Sequence, residues 1–177
     1  MNAFGPSFPP ISIPPTTFLQ QTFRDEKPSG TNGGDAPDTN YNTRVLNTGV
    51  PTLGTGGIST TIAGMSLDTN TYEFVVPAGT YYYTASAPAG YALGHKARLF
   101  NITDNVVEML GTSEYTNQTA IDVNRSLMTG MLILTSSKTY RIEHRIGDTT
   151  ANTWDYGVNA GTGDVEVYTT ITLVKLG

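Results

Sequence analysis

The chain has 177 residues, which is enough for one domain with its own core. It contains no cysteine, and this excludes disulfide bonds, thiolate metal sites and thiol catalysis. The net charge is −5, and because the ten Lys and Arg residues form no basic run we expect no nucleic-acid binding. Nineteen glycines and ten prolines, among many Thr, Asn and Tyr residues, are typical of short strands joined by turns.

Residues 1–17 differ from the rest of the chain because five prolines interrupt them. Proline fixes φ and removes a backbone donor, so this segment favours an extended arm over a helix or a central strand. Four apolar side chains lie between the prolines and give the arm groups to bury at a docking surface: Phe4, Phe8, Ile11 and Ile13. We therefore predict a docking arm over residues 1–17 and a folded domain over residues 18–177. The alternative is that residues 1–17 form a flexible terminus without a docking role.

Short strand candidates follow in chain order, separated by Gly, Pro, Asn and Asp. The predicted strands cover residues 18–24, 42–48, 71–76, 80–86, 94–101, 105–110, 126–135, 138–146 and 164–176. Several alternate with period two, which indicates half-buried antiparallel strands. Residues 138–146 place apolar side chains and His144 on one face and Arg141, Glu143 and Arg145 on the other. Residues 164–176 place Val165, Val167, Ile171 and Leu173 on one face. Strands at this spacing predict a β-sandwich or a barrel.

Seven short motifs succeed one another between residues 24 and 169. They are Arg24 to Gly34, Arg44 to Thr48, Pro77 to Tyr81, Thr84 to Pro88, His95 to Leu99, Gly111 to Tyr115 and Glu166 to Thr169. Each motif alone is weak, but the ordered series resembles the jelly rolls of the tumour-necrosis-factor-like and complement-type globular heads. More narrowly, it resembles the version carried by bacteriophage fibre and virion proteins.

This resemblance implies an all-β, antiparallel two-sheet jelly-roll sandwich of about ten strands, usually a homotrimer, with a structural or receptor-binding role and no enzymatic activity. The chain departs from the family in two respects. It has no collagen-like Gly-x-y repeat, and only 23 residues precede the first motif. The short N-terminal segment favours a head-surface decoration or a short head fibre over the end of a long shaft.

The loop motif contains Arg24, Asp25, Lys27, Gly30, Gly33 and Gly34. One interpretation is a binding loop or a metal site. The favoured one is an ion-paired turn whose glycines adopt backbone angles closed to other residues. The oxygen-rich run after it, Asp35 to Asn42, is a weak candidate for calcium because Pro37 interrupts it and a closing Glu is missing.

The two histidines, His95 and His144, are too few for a zinc site without cysteine, so hydrogen-bonded core or interface histidines are favoured. Aromatic residues exceed what one small core needs. Those in loops, Tyr91, Trp154 and Tyr156, are candidate ligand contacts at the apex of the domain.

We therefore expect a trimeric bacteriophage virion protein, attached through its arm to other virion proteins of the capsid, neck or tail. The alternative is a tail or fibre tip that binds a host surface glycan. A polysaccharide depolymerase is a third, disfavoured possibility, since no catalytic motif occurs. No cofactor or metal is expected. No segment reaches the roughly 18 apolar residues of a membrane span, and no signal peptide is recognisable, so we expect synthesis in the host cytoplasm and residence in the virion.

Overall fold

The structure is a computed structural model, and it describes residues 19–53, 59–118, 122–149 and 153–176. The arm, with Phe4, Phe8, Ile11 and Ile13, lies outside the described residues, so its docking role stays a prediction. The described residues form no helix, and their thirteen strands are β1 (Leu19–Lys27), β2 (Asn42–Thr43), β3 (Thr48–Leu53), β4 (Ser59–Thr60), β5 (Ser66–Asp68), β6 (Glu73–Val76), β7 (Gly79–Gly90), β8 (Leu93–Asn101), β9 (Val106–Leu110), β10 (Glu114–Thr116), β11 (Val123–Leu134), β12 (Lys138–Ile146) and β13 (Glu166–Lys175).

The strands form two antiparallel sheets. The first sheet has the order β11-β7-β13-β1-β3-β4, so β11 is an edge strand. The second sheet has the order β10-β8-β12-β6-β5, with β2 also paired to β12 and β9 also paired to β8. Strands distant in sequence are neighbours in both sheets, which is the connectivity of a jelly roll. The predicted all-β, two-sheet fold is confirmed.

The inward faces of the two sheets meet in one core. From the first sheet come Tyr81, Tyr83, Leu132 and Ile171, and from the second come Phe74, Leu99, Tyr140 and Ile142. The Phe74 ring contacts Phe23 and Tyr140, with ring centroids 5.6 and 5.9 Å apart. The aromatic surplus noted in the sequence therefore partly fills the space between the sheets, where burial of each large side chain contributes about 1.5–3 kcal/mol.

The predicted strand at 42–48 is broken in the middle. Arg44 leaves the strand and points inward with no exposed surface, while its backbone N–H donates to the carbonyl of Ile142. Asn47 then donates from its backbone to Arg24, and a separate strand, β3, starts at Thr48. The prediction of one continuous strand was wrong because the buried guanidinium requires the chain to turn inward. Strand β3 was not among the predicted strands.

The predicted face of residues 164–176 is correct only in its second half. Ile171 and Leu173 are buried, but Tyr168 is also buried, whereas Val165 is 56% exposed. The pairing of β1 with β13 shifts between Arg24 and Glu26, so two residues of β13 lie opposite Asp25. This β-bulge reverses which side chains face inward, and a strict period of two does not continue across it.

Candidate binding surfaces

The loop motif is a structural element that fastens one end of the sandwich. Gly33 donates to the carbonyl of Gly157 over 2.8 Å, and Gly34 donates to that of Thr153 over 3.1 Å. The Gly30 N–H donates to Oε1 of Glu166 over 3.0 Å. These bonds join the loop to the segment that leads into β13, and they support the favoured interpretation of the motif.

The three glycines meet different requirements. Gly30 and Gly34 have φ values of 78° and 106°, which side chains disfavour, as predicted. Gly33 has no such angle, but a Cβ on it would lie 2.2 Å from the carbonyl oxygen of Tyr156. The close approach of the Tyr156 backbone therefore explains the glycine at position 33, and the prediction of an unusual φ for Gly33 was wrong.

The charged residues of the motif pair with one another on strand β1, not in the turn where they were predicted. Arg24 forms an ion pair with Glu26, and Lys27 Nζ lies 3.3 Å from Oδ1 of Asp25. Asp25 is 1% exposed and lies opposite the β13 bulge, and desolvation raises the pKa of its carboxyl despite the nearby Lys27.

The oxygen-rich run makes a local turn. The Asp38 carboxylate accepts hydrogen bonds from the backbone and side chain of Asn40 and from the side chain of Asn42. These bonds lower the pKa of Asp38. Within the described residues, no three His, Asp or Glu side chains come together as a possible metal site. In the same residues no helix is long and apolar enough to cross a membrane.

The two histidines form a buried chain of hydrogen bonds between the sheets, which fits the predicted core role. His95 Nδ1 lies 2.9 Å from His144 Nε2, and His95 Nε2 lies 2.5 Å from Oδ1 of Asn124. At the other end, Arg44 Nη1 lies 3.2 Å from His144 Nδ1. Asn124 in turn donates from Nδ2 to the carbonyl of Tyr115. The chain of contacts thus connects both sheets at one end of the sandwich.

Arg44 can only donate, and this determines every proton in the chain. His144 Nδ1 accepts from Arg44, so Nε2–H of His144 donates to Nδ1 of His95, and Nε2–H of His95 donates to Oδ1 of Asn124. Both imidazoles are therefore neutral, because an added proton would place two donors face to face. Burial lowers the pKa of His144 well below its usual value, and the Arg44 charge lowers it further. Burial also lowers the pKa of His95, against the raising effects of Asn124 and Glu114.

Arg44, which the sequence marked only as the first residue of a short motif, is fully buried beside the histidines. It donates to the carbonyls of Pro88 and Tyr156 over 3.0 and 3.1 Å, and its Cζ lies 3.8 Å from the ring centroid of Tyr156. Desolvation lowers the pKa of Arg44 to about 10, so it remains charged at neutral pH. Its charge within a predicted strand and its place in a motif were the available signals.

The three predicted apical aromatics separate into two groups. Tyr91 and Trp154 are half-buried and lie together, with ring centroids 5.0 Å apart. Tyr91 has a φ of 56° in the two-residue connection between β7 and β8, and Leu93 directly after this connection has a similar φ of 54°. Tyr156 is only 6% exposed and stacks on His144, so it is not placed to contact a surface ligand. The candidate surface is therefore the Tyr91–Trp154 pair.

An exposed apolar surface lies on the edge strand of the first sheet. Leu127, Met131 and Ile133 on β11 are 52%, 56% and 77% exposed, and Tyr82 on β7 is 41% exposed. The register places Met131 directly opposite Tyr82, so these side chains project from the same side. We call these four residues the apolar face. Isolated exposed apolar residues are ordinary, but a contiguous group on a sheet edge marks an interaction surface.

No protein-family model and no curated protein sequence matches this chain. Among solved structures, it is similar to murine APRIL, with a TM-score of 0.54 and 9% identity over 90% of this chain and 100% of that one. It is also similar to Eiger TNF from S. frugiperda, with a TM-score of 0.52 and 14% identity over 90% of this chain and 93% of that one. The globular domain of zebrafish complement 1qA gives a TM-score of 0.50 and 12% identity, over 90% of this chain and 96% of that one. The chain therefore has the jelly-roll fold of tumour-necrosis-factor-type and complement 1q globular domains.

Proposed function

We propose that this chain is a non-enzymatic bacteriophage virion protein, a homotrimeric head-surface decoration or short head fibre attached through its N-terminal arm. The apolar face carries the trimer part of this proposal. Four large apolar side chains on an edge strand and its neighbour expose a surface that a second copy would cover.

A copy of the same chain is the favoured occupant of the apolar face. Between the apolar residues of β7 and β11 lie Thr80, Thr84 and Thr129, so no charge interrupts the surface. Arg125, at the border, is drawn along the sheet by bonds to the carbonyls of Tyr168 and Val167. A closed ring of three subunits, which the resemblance implies, would bury the edge strand of every copy.

The virion role is supported by the ordered motif series and by the apolar, proline-rich arm. Three arms projecting from one trimer would multiply modest individual contacts into stable attachment. The test is a chain that lacks residues 1–17, examined by light scattering and by incorporation into particles. We expect each form to have near three times its own monomer mass, which is 19.0 kDa for the full chain, but only the full chain to associate with particles. Normal incorporation of the truncated chain, or a monomer in both forms, would overturn the proposal.

A host-glycan-binding tip is the second candidate, and the Tyr91–Trp154 pair favours it. Two adjacent, partly exposed aromatic rings offer an apolar platform with polar edges, which suits the faces of sugar rings. Trp154→Ala should then abolish binding of the purified protein to host cells. Tyr115→Ala removes a 64% exposed ring from strand β10 and is the matched control. Equal binding by both variants and the parent protein would rule out this candidate.

A further inference from the structure

The outward face of the second sheet collects positive charge, although the chain as a whole carries a net charge of −5. The register of β8 and β12 places Arg145 directly opposite Lys96. Arg98 lies opposite Glu143, and Arg141 lies opposite Phe100. Directly opposed residues project from the same side of an antiparallel pair, and the alternate residues of both strands are buried in the core. We call Lys96, Arg98, Arg141 and Arg145 the basic face.

The carboxylates on this face do not balance its positive charge. Glu143 is 2% exposed and accepts from both Arg98 Nε, at 2.5 Å, and Arg141 Nε, at 2.7 Å. Oε1 of Glu73 lies 3.9 Å from Nη1 of Arg141. Among the described residues, no carboxylate lies within 4.0 Å of Lys96 or Arg145. The basic face therefore retains an excess of positive charge, concentrated at Lys96 and Arg145.

Lys96 and Arg145 form a like-charge pair on adjacent strands, an arrangement that destabilises a sheet. They border a groove of about 260 Å³ that Gly94 and Gly147 also line. A Cβ on Gly94 would meet no atom within 4 Å, so the space above the strand is open. A bound anion would lie between the two cations and offset their repulsion. Glu114 also lines the groove. The register places it directly opposite His95, whose side chain lies on the buried side of β8, so Glu114 projects from that side as well.

Part of the basic face is held in place before any ligand arrives. The Arg98 guanidinium lies 3.8 Å from the ring centroid of Tyr41 and 5.1 Å from that of Phe100, and Arg145 Nε donates to the carbonyl of Thr39. Cations fixed in this way lose little entropy on binding. Because Arg98 covers Tyr41 and Phe100, these rings are not free as stacking platforms for nucleic-acid bases. The arrangement therefore favours a polyanion without bases.

We propose that the basic face binds an acidic polysaccharide, an extended chain of uronic acid residues. Lys96 and Arg145 would contact one carboxylate of the polysaccharide, and Arg98 and Arg141 would contact another. Lys96 and Arg98 are two residues apart along β8, a separation of about 7 Å. This inference rests on the proposed function in one respect: trimerisation through the apolar face would leave the second sheet exposed.

The test measures binding of the full chain to immobilised polygalacturonate, with neutral dextran as the uncharged control. We expect binding to polygalacturonate alone, and weaker binding as salt is added. The double variant Lys96→Gln, Arg145→Gln should bind about three- to tenfold more weakly, since it loses two exposed ion pairs. Lys138→Gln with Lys175→Gln removes the same charge elsewhere and should change the affinity by less than roughly twofold.

Three results would overturn the inference. They are no binding of polygalacturonate by the parent protein, equal losses in the two double variants, or tighter binding of single-stranded DNA with the same number of charges. Light scattering on the same samples separates this inference from the proposed function. A monomer that binds polygalacturonate supports the inference and contradicts the trimer, whereas a trimer that does not bind contradicts the inference alone.

Discussion

The outward faces of the two sheets have opposite chemistry, although both belong to strands that alternate with period two. On the first sheet, Leu127, Met131 and Ile133 expose half or more of their surface at a sheet edge. On the second sheet, the corresponding positions of β8 and β12 carry the basic face. Burial therefore explains one face of each strand, and the exposed face determines which kind of surface that sheet can contact. An apolar outward face suits a second copy of the chain, and a charged one suits water or a charged ligand.

The largest effect should come from placing charge on the apolar face. Met131→Asp with Ile133→Asp would bury carboxylates in the proposed subunit interface, and this costs several kcal/mol for each unpaired charge. We expect light scattering to show the mass fall from a trimer to a monomer. Val106→Asp with Val107→Asp is the control, because these residues are 47% and 41% exposed on β9 of the second sheet. An unchanged trimer in the first variant would mean that the subunits associate elsewhere.

The interior that separates the two faces should be the next most sensitive region. Arg44→Leu would leave the carbonyls of Pro88 and Tyr156 and the Nδ1 of His144 without their donor. We expect the free energy of unfolding in urea to fall by about 2–4 kcal/mol, because buried polar groups would lose their partners. Arg24→Gln removes a partly exposed guanidinium and should cost less than about 1 kcal/mol. Similar losses in the two variants would contradict the role assigned to Arg44.

Acid should weaken the same interior through the histidine chain. The pKa values of His95 and His144 are lowered in the folded state, whereas in the unfolded chain they are near 6.5. The contribution of the two neutral histidines to the free energy of unfolding is therefore fully present above about pH 6.5. It is lost as the pH falls below that value, because only the unfolded chain takes up protons there. Between pH 7.5 and 5.5 we expect a loss of about 1–3 kcal/mol in the free energy of unfolding.

Urea titrations at the two pH values measure this loss directly. His95→Gln keeps a polar side chain but removes one titrating group, so its pH-dependent loss should be smaller than that of the parent protein. An equal loss in both proteins would assign the acid sensitivity to other groups.

The smallest effect is a gain of stability on the basic face. Lys96→Glu would convert the like-charge pair with Arg145 into an opposite-charge pair, worth about 0.2–1 kcal/mol. We expect a slightly higher midpoint of urea unfolding together with weaker polygalacturonate binding. That combination would show that the pair is kept for binding at the expense of stability. A lower midpoint would mean that Lys96 has a structural role.

The sequence by itself determined the fold class and most of the strands. Turn residues delimited β12 at its true bounds, and the alternation of Tyr140, Ile142 and His144 identified its buried face correctly. The motif series predicted the jelly roll that the solved structures support. These features are local or follow a regular period, so one chain is sufficient to show them.

Only the tertiary structure decided which residues meet. The β13 bulge depends on pairing with β1, and Arg44 turns inward because carbonyls from distant segments surround it. The basic face joins Lys96 to Arg145, which are 49 positions apart, through the register of two strands. Tyr156 is buried because Arg44 and His144 stack on its ring, although its place in a loop predicted exposure. Such contacts depend on strand pairing and packing across long sequence separations, and no local pattern encodes them.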